Sequence, residues 1–427
     1  MNKKEEIKNR IDLINRGEVP EGYKKVHGYI IPNDWNIVPI KKIARQVKRS
    51  VEKPSESYYR LSVRSHAKGT FHSFVEDPET VAMEELFQVK ENDLIVNITF
   101  AWEHAIAIVK KEDNNLLVSH RFPTYEFNSN ASVKFYENII KLPRIKKMLS
   151  DMSPGGAGRN RVLNQTDFYN SLYIPYTNFK EQEKIAKILN CCDKVIELKQ
   201  QLLVEIINIK KYIVDKILIK NVQKDKVQEV KLKDISRFIT KGTTPNRFEK
   251  HSDIKFIKIE SIVNGKIDNS KCSHISRNIH DNELSRSKLR ENDILFGIAG
   301  ALGVCTKVEK KNLPANTNQA LAIIRLNDVN SIDYVIEVLK SPIMKKYIHG
   351  NNVGCAQVNL NLEQISNFKF KLPCKISQIL IIKLFKNMNK KIELLSQELE
   401  QYKQLKKSLS QLLLTGIVRT VEVDCEN

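Results

Sequence analysis

The stretch IAKILNCCDKVIELKQQLLVEIINIKKYIVDK, residues 185–216, decides the fold. Apolar or long-stemmed side chains fall at Ile185, Ile188, Cys192, Val195, Lys199, Leu202, Ile206, Ile209, Ile213 and Lys216. Their steps alternate between three and four, the spacing of a heptad seam along one helix face. The pattern returns 196 positions later in IIKLFKNMNKKIELLSQELEQYKQLKKSLSQL, residues 381–412. There the seam reads Ile381, Leu384, Met388, Lys391, Leu395, Glu398, Tyr402, Leu405, Leu409 and Leu412. Ile196-Glu197-Leu198 recurs as Ile392-Glu393-Leu394, and Gln182 as Gln378. A proline precedes each run, in Ile174-Pro175 and Leu372-Pro373, neither run is interrupted by Pro or Gly, and Gly416 closes the second. About 35 residues at about 1.5 Å each make a rod of about 50 Å, longer than an ordinary amphipathic core helix. Such helices are expected to bury their seams on each other.

Working outward, the segments before the two runs also correspond. Val38-Pro39-Ile40-Lys41-Lys42-Ile43-Ala44-Arg45 matches Val230-Lys231-Leu232-Lys233-Asp234-Ile235-Ser236-Arg237, and Glu91-Asn92-Asp93-Leu94-Ile95 matches Glu291-Asn292-Asp293-Ile294-Leu295. Gly156 stands as far before Pro175 as Gly354 before Pro373. The chain therefore reads as two copies of a unit of about 195 residues, each a mixed globular part followed by a long helix. Alternation and turn residues predict strands over 58–63, 93–98, 105–109 and 116–119 in the first copy. In the second they fall over 254–259, 293–298, 303–308 and 320–326. Helical pieces are expected at 133–140 and 332–339, stopping before Pro143 and Pro342, with an N-terminal helical extension over 4–16 stopped by Gly17. The class is α+β rather than a regular alternation of strand and helix.

The chain has 427 residues, enough for several domains, and 70 Lys and Arg against 50 Asp and Glu give a net charge of +20. Cut at residues 178, 222 and 373, every segment is net positive. A positive field along the whole length suits a long polyanion, because each neutralised phosphate releases a counterion. The seven cysteines form no C-x-x-C pair, which fits reduced thiols. The start of the chain is not a secretory signal and no apolar run approaches the length of a membrane span, so a cytoplasmic location is expected.

Catalytic and metal patterns are missing from the sequence. It holds no G-x-x-x-x-G-K-[ST] phosphate loop, no H-x-x-x-H helix pair, no metal-spaced Cys and His cluster, and no Asn-Pro-Pro-Tyr or Asp-Pro-Pro-Tyr tetrapeptide. Gly155-Gly156-Ala157-Gly158 runs into Arg159-Asn160-Arg161 and reads as a flexible loop aimed at phosphate. A stand-alone nuclease or methyltransferase and a coiled-coil protein scaffold stay open as alternatives at this point.

The arrangement as a whole resembles the specificity subunit of type I restriction-modification systems. The residues that carry the resemblance are Ile174-Pro175 followed by Glu181-Gln182-Glu183-Lys184-Ile185, then Gly242-Thr243-Thr244-Pro245, Asn318-Gln319 and Gln357-Val358-Asn359-Leu360. Two positions depart from the family pattern: Ser377 precedes Gln378 where a glutamate is usual, and Thr243 replaces a second glycine. The resemblance implies two tandem globular target-recognition domains separated by two long conserved helices that pack as an antiparallel coiled coil, with a pseudo-two-fold internal repeat. On this reading residues 1–178 are the first target-recognition domain, 179–222 the first conserved spacer helix, and 223–373 the second domain. The second spacer helix takes 374–416, and 417–427 form a C-terminal tail.

The implied function is recognition of an asymmetric bipartite DNA site with an unspecified gap, the spacer helices setting the gap. Partner subunits then carry out N6-adenine methylation or restriction. Candidate base readers are planar polar groups on loops: Arg159, Asn160 and Arg161 in the first copy, with Asn246, Arg247, Asn318, Gln319, Gln357 and Asn359 in the second. Thr243 and Thr244 join them as candidate DNA contacts, and Lys68, Arg121, Lys241 and Lys266 are candidate phosphate contacts. The resemblance implies that this chain binds no cofactor, with S-adenosylmethionine, ATP and Mg²⁺ on partner subunits. Those partners are two modification (methyltransferase) subunits and restriction/translocase subunits, besides double-stranded DNA, with no membrane.

Overall fold

A computed structural model describes residues 3–156, 160–216, 227–250, 252–350 and 359–420. The chain folds into two compact units, Met1–Lys199 with Glu398–Asn427, and Gln200–Gln397. Each long helix is divided between them. Half of each long helix thus groups with each globular body.

The duplication is explicit in the sheets. In the first unit a four-stranded antiparallel sheet runs in the order Ala44–Val47, Thr124–Phe127, Leu94–Val96, Ile106–Ile108. In the second the order is Ser236–Lys241, Leu321–Leu326, Ile294–Gly297, Cys305–Lys307. Both units also carry a second sheet in which Tyr58–Val63 lies parallel to Leu117–Val118, as Ile254–Ile257 lies parallel to Ala315–Thr317. Tyr58–Val63 has the expected bounds, and the other strands are shorter than the apolar runs that announced them, because their ends turn into loops.

One turn shows why the repeat reads so clearly in Glu-Asn-Asp. Asn92 and Asn292 both take a left-handed backbone, at φ +72° and +73°, a conformation asparagine tolerates. The buried carboxylates that follow, Asp93 and Asp293, accept from the backbone N–H of Lys90 at 2.8 Å and of Arg290 at 2.7 Å. Each is neutralised by an arginine from a different element, Arg49 in the first unit and Arg325 in the second.

A two-stranded ribbon in each unit was not expected from the sequence, since it contains the prolines that precede the long helices. Asn36–Pro39 pairs with Tyr173–Tyr176, and Val227–Lys231 with Lys369–Pro373. Pro175 and Pro373 are moreover not counterparts. Gln182 Nε2 donates to Thr177 O at 2.7 Å and Gln378 Nε2 to Pro373 O at 2.8 Å, so Pro373 occupies the position of Thr177. Gly354, matched with Gly156 on the same reasoning, lies outside the described residues. Pro143 and Pro342 do not merely follow helices; they open new ones, Pro143–Asp151 and Pro342–Gly350, where a missing N–H costs nothing.

The long helices span Phe179–Asp215 and Lys375–Leu414. Within the first unit Asp193 pairs with Lys406 and Lys199 with Glu398, so one helix descends as the other climbs: they are antiparallel. Ile185 and Leu189 share a core with Leu413 and Leu414 there, and in the second unit Val214 shares one with Ile381 and Phe385. The seam, however, has a different phase from the expected one over much of its length. Leu202, Ile209, Leu384 and Leu405 are exposed, while Phe385, Leu399 and Leu413 are buried; Leu395 belongs to both phases and is buried too. Periodicity fixes pitch but not phase. Stepping four before three from Ile381 places Phe385, Ile392 and Leu399 inward instead of Leu384, Lys391 and Glu398, which buries more apolar surface.

Candidate nucleic-acid interface

In the second unit, strand Ser236–Lys241 ends in the turn Gly242-Thr243-Thr244, which lies against the loop after Ala315–Thr317. Only glycine fits at 242: a Cβ there would come 1.9 Å from Thr317 O. Thr243 N donates to Thr317 O at 3.1 Å, and Thr244 Oγ1 donates to Gln319 Oε1 at 2.6 Å. Two segments 75 residues apart thus form one polar surface with Lys241, Thr243, Asn246, Arg247 and Gln319 exposed on it. Thr243 is not among the residues with positive φ, so its departure from glycine strains nothing. Asn318 is half-buried, its Oδ1 accepting from Ala320 N at 3.2 Å and so shaping the loop.

The counterpart in the first unit is the loop Ser119-His120-Arg121 before strand Thr124–Phe127, beside Gln46 and Lys48 at the end of Ala44–Val47. Ser119, His120, Gln46 and Lys48 line a cleft of about 490 Å³ together with Tyr169 and Asn170, and Arg121 lies outside its lining. Arg121 is exposed, its backbone oxygen accepting from Ile98 N at 3.0 Å. Lys68 is exposed in a turn held down by two backbone bonds, His66 N to Glu103 O and Ala67 N to His104 O, both at 2.8 Å.

Other candidates fall elsewhere. Arg161 turns inward: its guanidinium donates to Ser153 O at 2.9 Å and Ser150 O at 2.6 Å and lies over the Trp102 ring. The planar amide of Asn160 beside it is exposed. Lys266 is exposed at the tip of the hairpin Ile262–Val263 and Lys266–Ile267, and Asn359 is exposed just before the helix Leu362–Ser366. Arg159 and Gln357 lie outside the described residues.

One feature escaped the sequence reading. A cleft of about 640 Å³ in the second unit is lined by Arg286, Lys288, Arg290, Lys310 and Arg325 around Leu313-Pro314. Lys288 pairs with Asp281 and Arg325 with Asp293, so Arg286, Arg290 and Lys310 leave the cleft with an excess of positive charge. The five cations of the lining come from three segments, and no local pattern could have joined them. Pro314 and Asn318 stand at opposite ends of the strand Ala315–Thr317, about 13 Å apart for extended chain, close to the width of a major groove of about 12 Å.

Among the described residues no group of His, Cys, Asp and Glu could hold a metal ion, and no helix is long and apolar enough to cross a membrane.

A model of the type I restriction modification DNA specificity domain matches twice, over residues 32–208 and 224–404. The chain is 24% identical to the type I restriction enzyme MjaVIII specificity subunit of Methanocaldococcus jannaschii, covering 93% of this chain and 96% of that protein. A shorter stretch, 28% of this chain and 25% of the relative, is 33% identical to the type I restriction enzyme EcoBI specificity subunit of Escherichia coli. In fold the chain resembles the HsdS subunit from Thermoanaerobacter tengcongensis, with a TM-score of 0.54 at 15% identity over 92% of this chain and 99% of that one. It also resembles a chain from a structural study of assembly and conformational transition in the type I R-M system, with a TM-score of 0.61 at 14% identity over 91% of this chain and 100% of that one. Two specificity domains, each followed by a long helix, therefore make this chain a member of the type I restriction-modification specificity-subunit family, a DNA-recognition subunit and not a catalytic one.

Proposed function

We propose that the chain reads an asymmetric bipartite DNA site with an unspecified gap and directs partner subunits to methylate adenine at N6 or to restrict. One observation carries the reading. The two units share sheet order and turn chemistry, yet they present different side chains at the equivalent loop, Ser119-His120-Arg121 in one and Asn318-Gln319 in the other. Like scaffolds with unlike readers recognise unlike half-sites, whereas two identical readers would favour a palindrome.

Base edges are read by the planar polar groups of these loops, and sequence-independent affinity comes from Lys68, Lys241, Lys266 and the cationic cleft. In this reading S-adenosylmethionine and Mg²⁺ or ATP belong to the two modification subunits and the restriction/translocase subunits, in the cytoplasm. A stacked adenine is out of reach of a methyl donor, so the modification subunit flips it out of the duplex. Purified alone with DNA, Mg²⁺ and S-adenosylmethionine, this chain leaves DNA unmodified, and adding its modification subunit produces methylation at a two-part motif. Turnover by the chain alone would overturn the reading.

A further inference from the structure

The two units treat the free edge of their second sheet differently. In the second unit that sheet ends on Ser273–Ile275, the antiparallel neighbour of Ile254–Ile257 on the side away from Ala315–Thr317. This edge strand is only three residues long, and it is covered. Glu249 bridges to His274, its N–H donating to His274 O at 2.9 Å, and the Phe248 ring beside it packs edge-on against Phe256 at 5.3 Å. A short, covered edge protects a sheet from pairing with another chain.

In the first unit the same place is held by Thr70–Val75, six residues long and last in the order Ser50–Glu52, Glu85–Gln88, Leu117–Val118, Tyr58–Val63, Thr70–Val75. Its register with Tyr58–Val63 runs unbroken over six pairs, so no bulge bends it, and its sequence holds no proline, lysine or carboxylate. The chain between Ala44–Val47 and Tyr58, which corresponds to the cover in the second unit, goes instead to the far edge, where Ser50–Glu52 pairs with Glu85–Gln88. At the head of the hairpin Arg64 N donates to Gly69 O at 2.9 Å. Antiparallel strands alternate inward and outward groups, so this bond turns the backbone N–H and C=O of Phe71, Ser73 and Val75 toward the neighbouring strand and those of Thr70, His72 and Phe74 outward. Among the described residues no other element bonds to these outward groups. Phe71 and Phe74 are 38% and 55% exposed, and Tyr59, opposite Phe74, is 54% exposed. A long, flat, apolar edge of this kind is a template for another strand.

Charge decides which strand. Arg64, over the Phe71 ring, and Lys68 are exposed at the turn of the hairpin, and Glu76, Asp77 and Glu79 are exposed just past the other end of Thr70–Val75. A second copy of the same strand, laid antiparallel, sets its carboxylates against the basic turn and its basic turn against the carboxylates. Both ends then attract, whereas a parallel copy would set like charge against like.

We propose that Thr70–Val75 pairs with the same strand of a second copy of this chain, antiparallel across a two-fold axis at Ser73, joining the five-stranded sheets of the two copies into one. The outward groups fix the register. With Ser73 opposite its own copy, His72 exchanges backbone bonds with Phe74 of the second copy, and Phe71 lies opposite Val75. Each aromatic side chain thus faces a ring or a β-branched partner, and Glu76 falls opposite Thr70 at the basic turn.

The test uses the full chain alone. Sedimentation velocity follows the step from monomer to dimer over about 1–100 μM; one strand pair covers less than the about 1,600 Å² of a standard interface, so the dimer should grow with concentration across that range. Hydrogen exchange at the amides of Thr70, His72 and Phe74 should slow about fivefold or more as it forms. Phe74→Lys, Arg64→Glu and Glu76→Arg should each move the midpoint to a concentration about tenfold higher or more, with melting curves showing folded chains. Mixing Arg64→Glu with Glu76→Arg should restore the dimer, because both contacts across the axis then join opposite charges, a recovery that a damaged fold would not show. A chain that stays monomeric throughout, equal dimers in all three variants, or no recovery on mixing overturns the proposal. So does protection of these amides only after a modification subunit is added, which would assign the edge to that subunit. The DNA-specificity reading stands under each of these outcomes.

Discussion

Arg419 donates to both carboxylate oxygens of Glu181, from Nε at 2.8 Å and from Nη2 at 2.9 Å, tying the segment after the second long helix to the first turn of the first. Glu181 is almost fully buried and Arg419 largely so. Removing one partner of such a pair strands the other. Arg419→Ala should cost about 3–5 kcal/mol, read as a lower urea midpoint. The double variant Glu181→Gln with Arg419→Ala should lose less than Arg419→Ala alone, since no buried charge is then left unpaired.

The same pair sets an acid limit. Burial pushes the Glu181 carboxyl up, but hydrogen bonds from Arg419, Thr177 and Trp35 outweigh it and hold it below the usual carboxylate value. The Arg419 guanidinium lowers Asp34 likewise; in Asp333 burial is outweighed by Lys386 and Lys307. The unfolded chain therefore takes up protons at these groups before the folded chain does. Stability should be whole above about pH 5 and fall as the pH drops through the carboxylate range. Urea midpoints at a series of pH values check this, and Arg419→Ala should flatten the fall.

Adjacent residues on the second long helix separate the two phases of the seam. Phe385 is 1% exposed and Leu384 40%. Phe385→Ala should destabilise by about 3–5 kcal/mol and Leu384→Ala by less than about 1 kcal/mol. Equal losses would restore the phase that spacing alone suggested.

How much of this was legible from the residues alone depends on how local each signal is. The duplication was legible because it is written in short motifs with fixed backbone demands, such as the left-handed Asn92 and Asn292 ahead of a buried aspartate. The long helices were legible from periodicity, but not their phase, which the facing helix decides. The ribbons through Pro175 and Pro373 were hidden, because proline on a two-stranded edge pairs without needing its N–H on the inner side. In the interface, Gly242-Thr243-Thr244 and Asn318-Gln319 were each visible as motifs, and only the fold joins them. Arg161 looked like a reader in the sequence and is held by Ser150 and Ser153. Lys48, His120 and the cluster of Arg286, Arg290 and Lys310 carry no motif, since tertiary packing gathers them.

The turn at Gly242 gives a prediction confined to one domain. Gly242→Ala drives a methyl group into Thr317 O and should cost more than about 1–3 kcal/mol locally, abolishing recognition of the second half-site. The milder Gln319→Ala should keep the fold and relax base preference at one or two positions of that half-site only. Selection of bound sequences from a random pool distinguishes these outcomes.

Phosphate contacts answer to salt instead. Replacing Arg286 or Lys310 with Gln should lower the slope of log affinity against log salt by about one unit each, with the preferred sequence unchanged. A changed motif would make these residues base readers, and an unchanged slope would take the cleft off the DNA.

The central claim is that two dissimilar domains each read their own half of the site. It is tested most directly by replacing residues 227–373 with the corresponding domain of another family member, expressing the hybrid with the modification subunit, and mapping methylated adenines genome-wide. The account predicts a motif in which one half keeps its sequence and the other changes completely. A motif altered in both halves, or a single contiguous site in the parent, would contradict it.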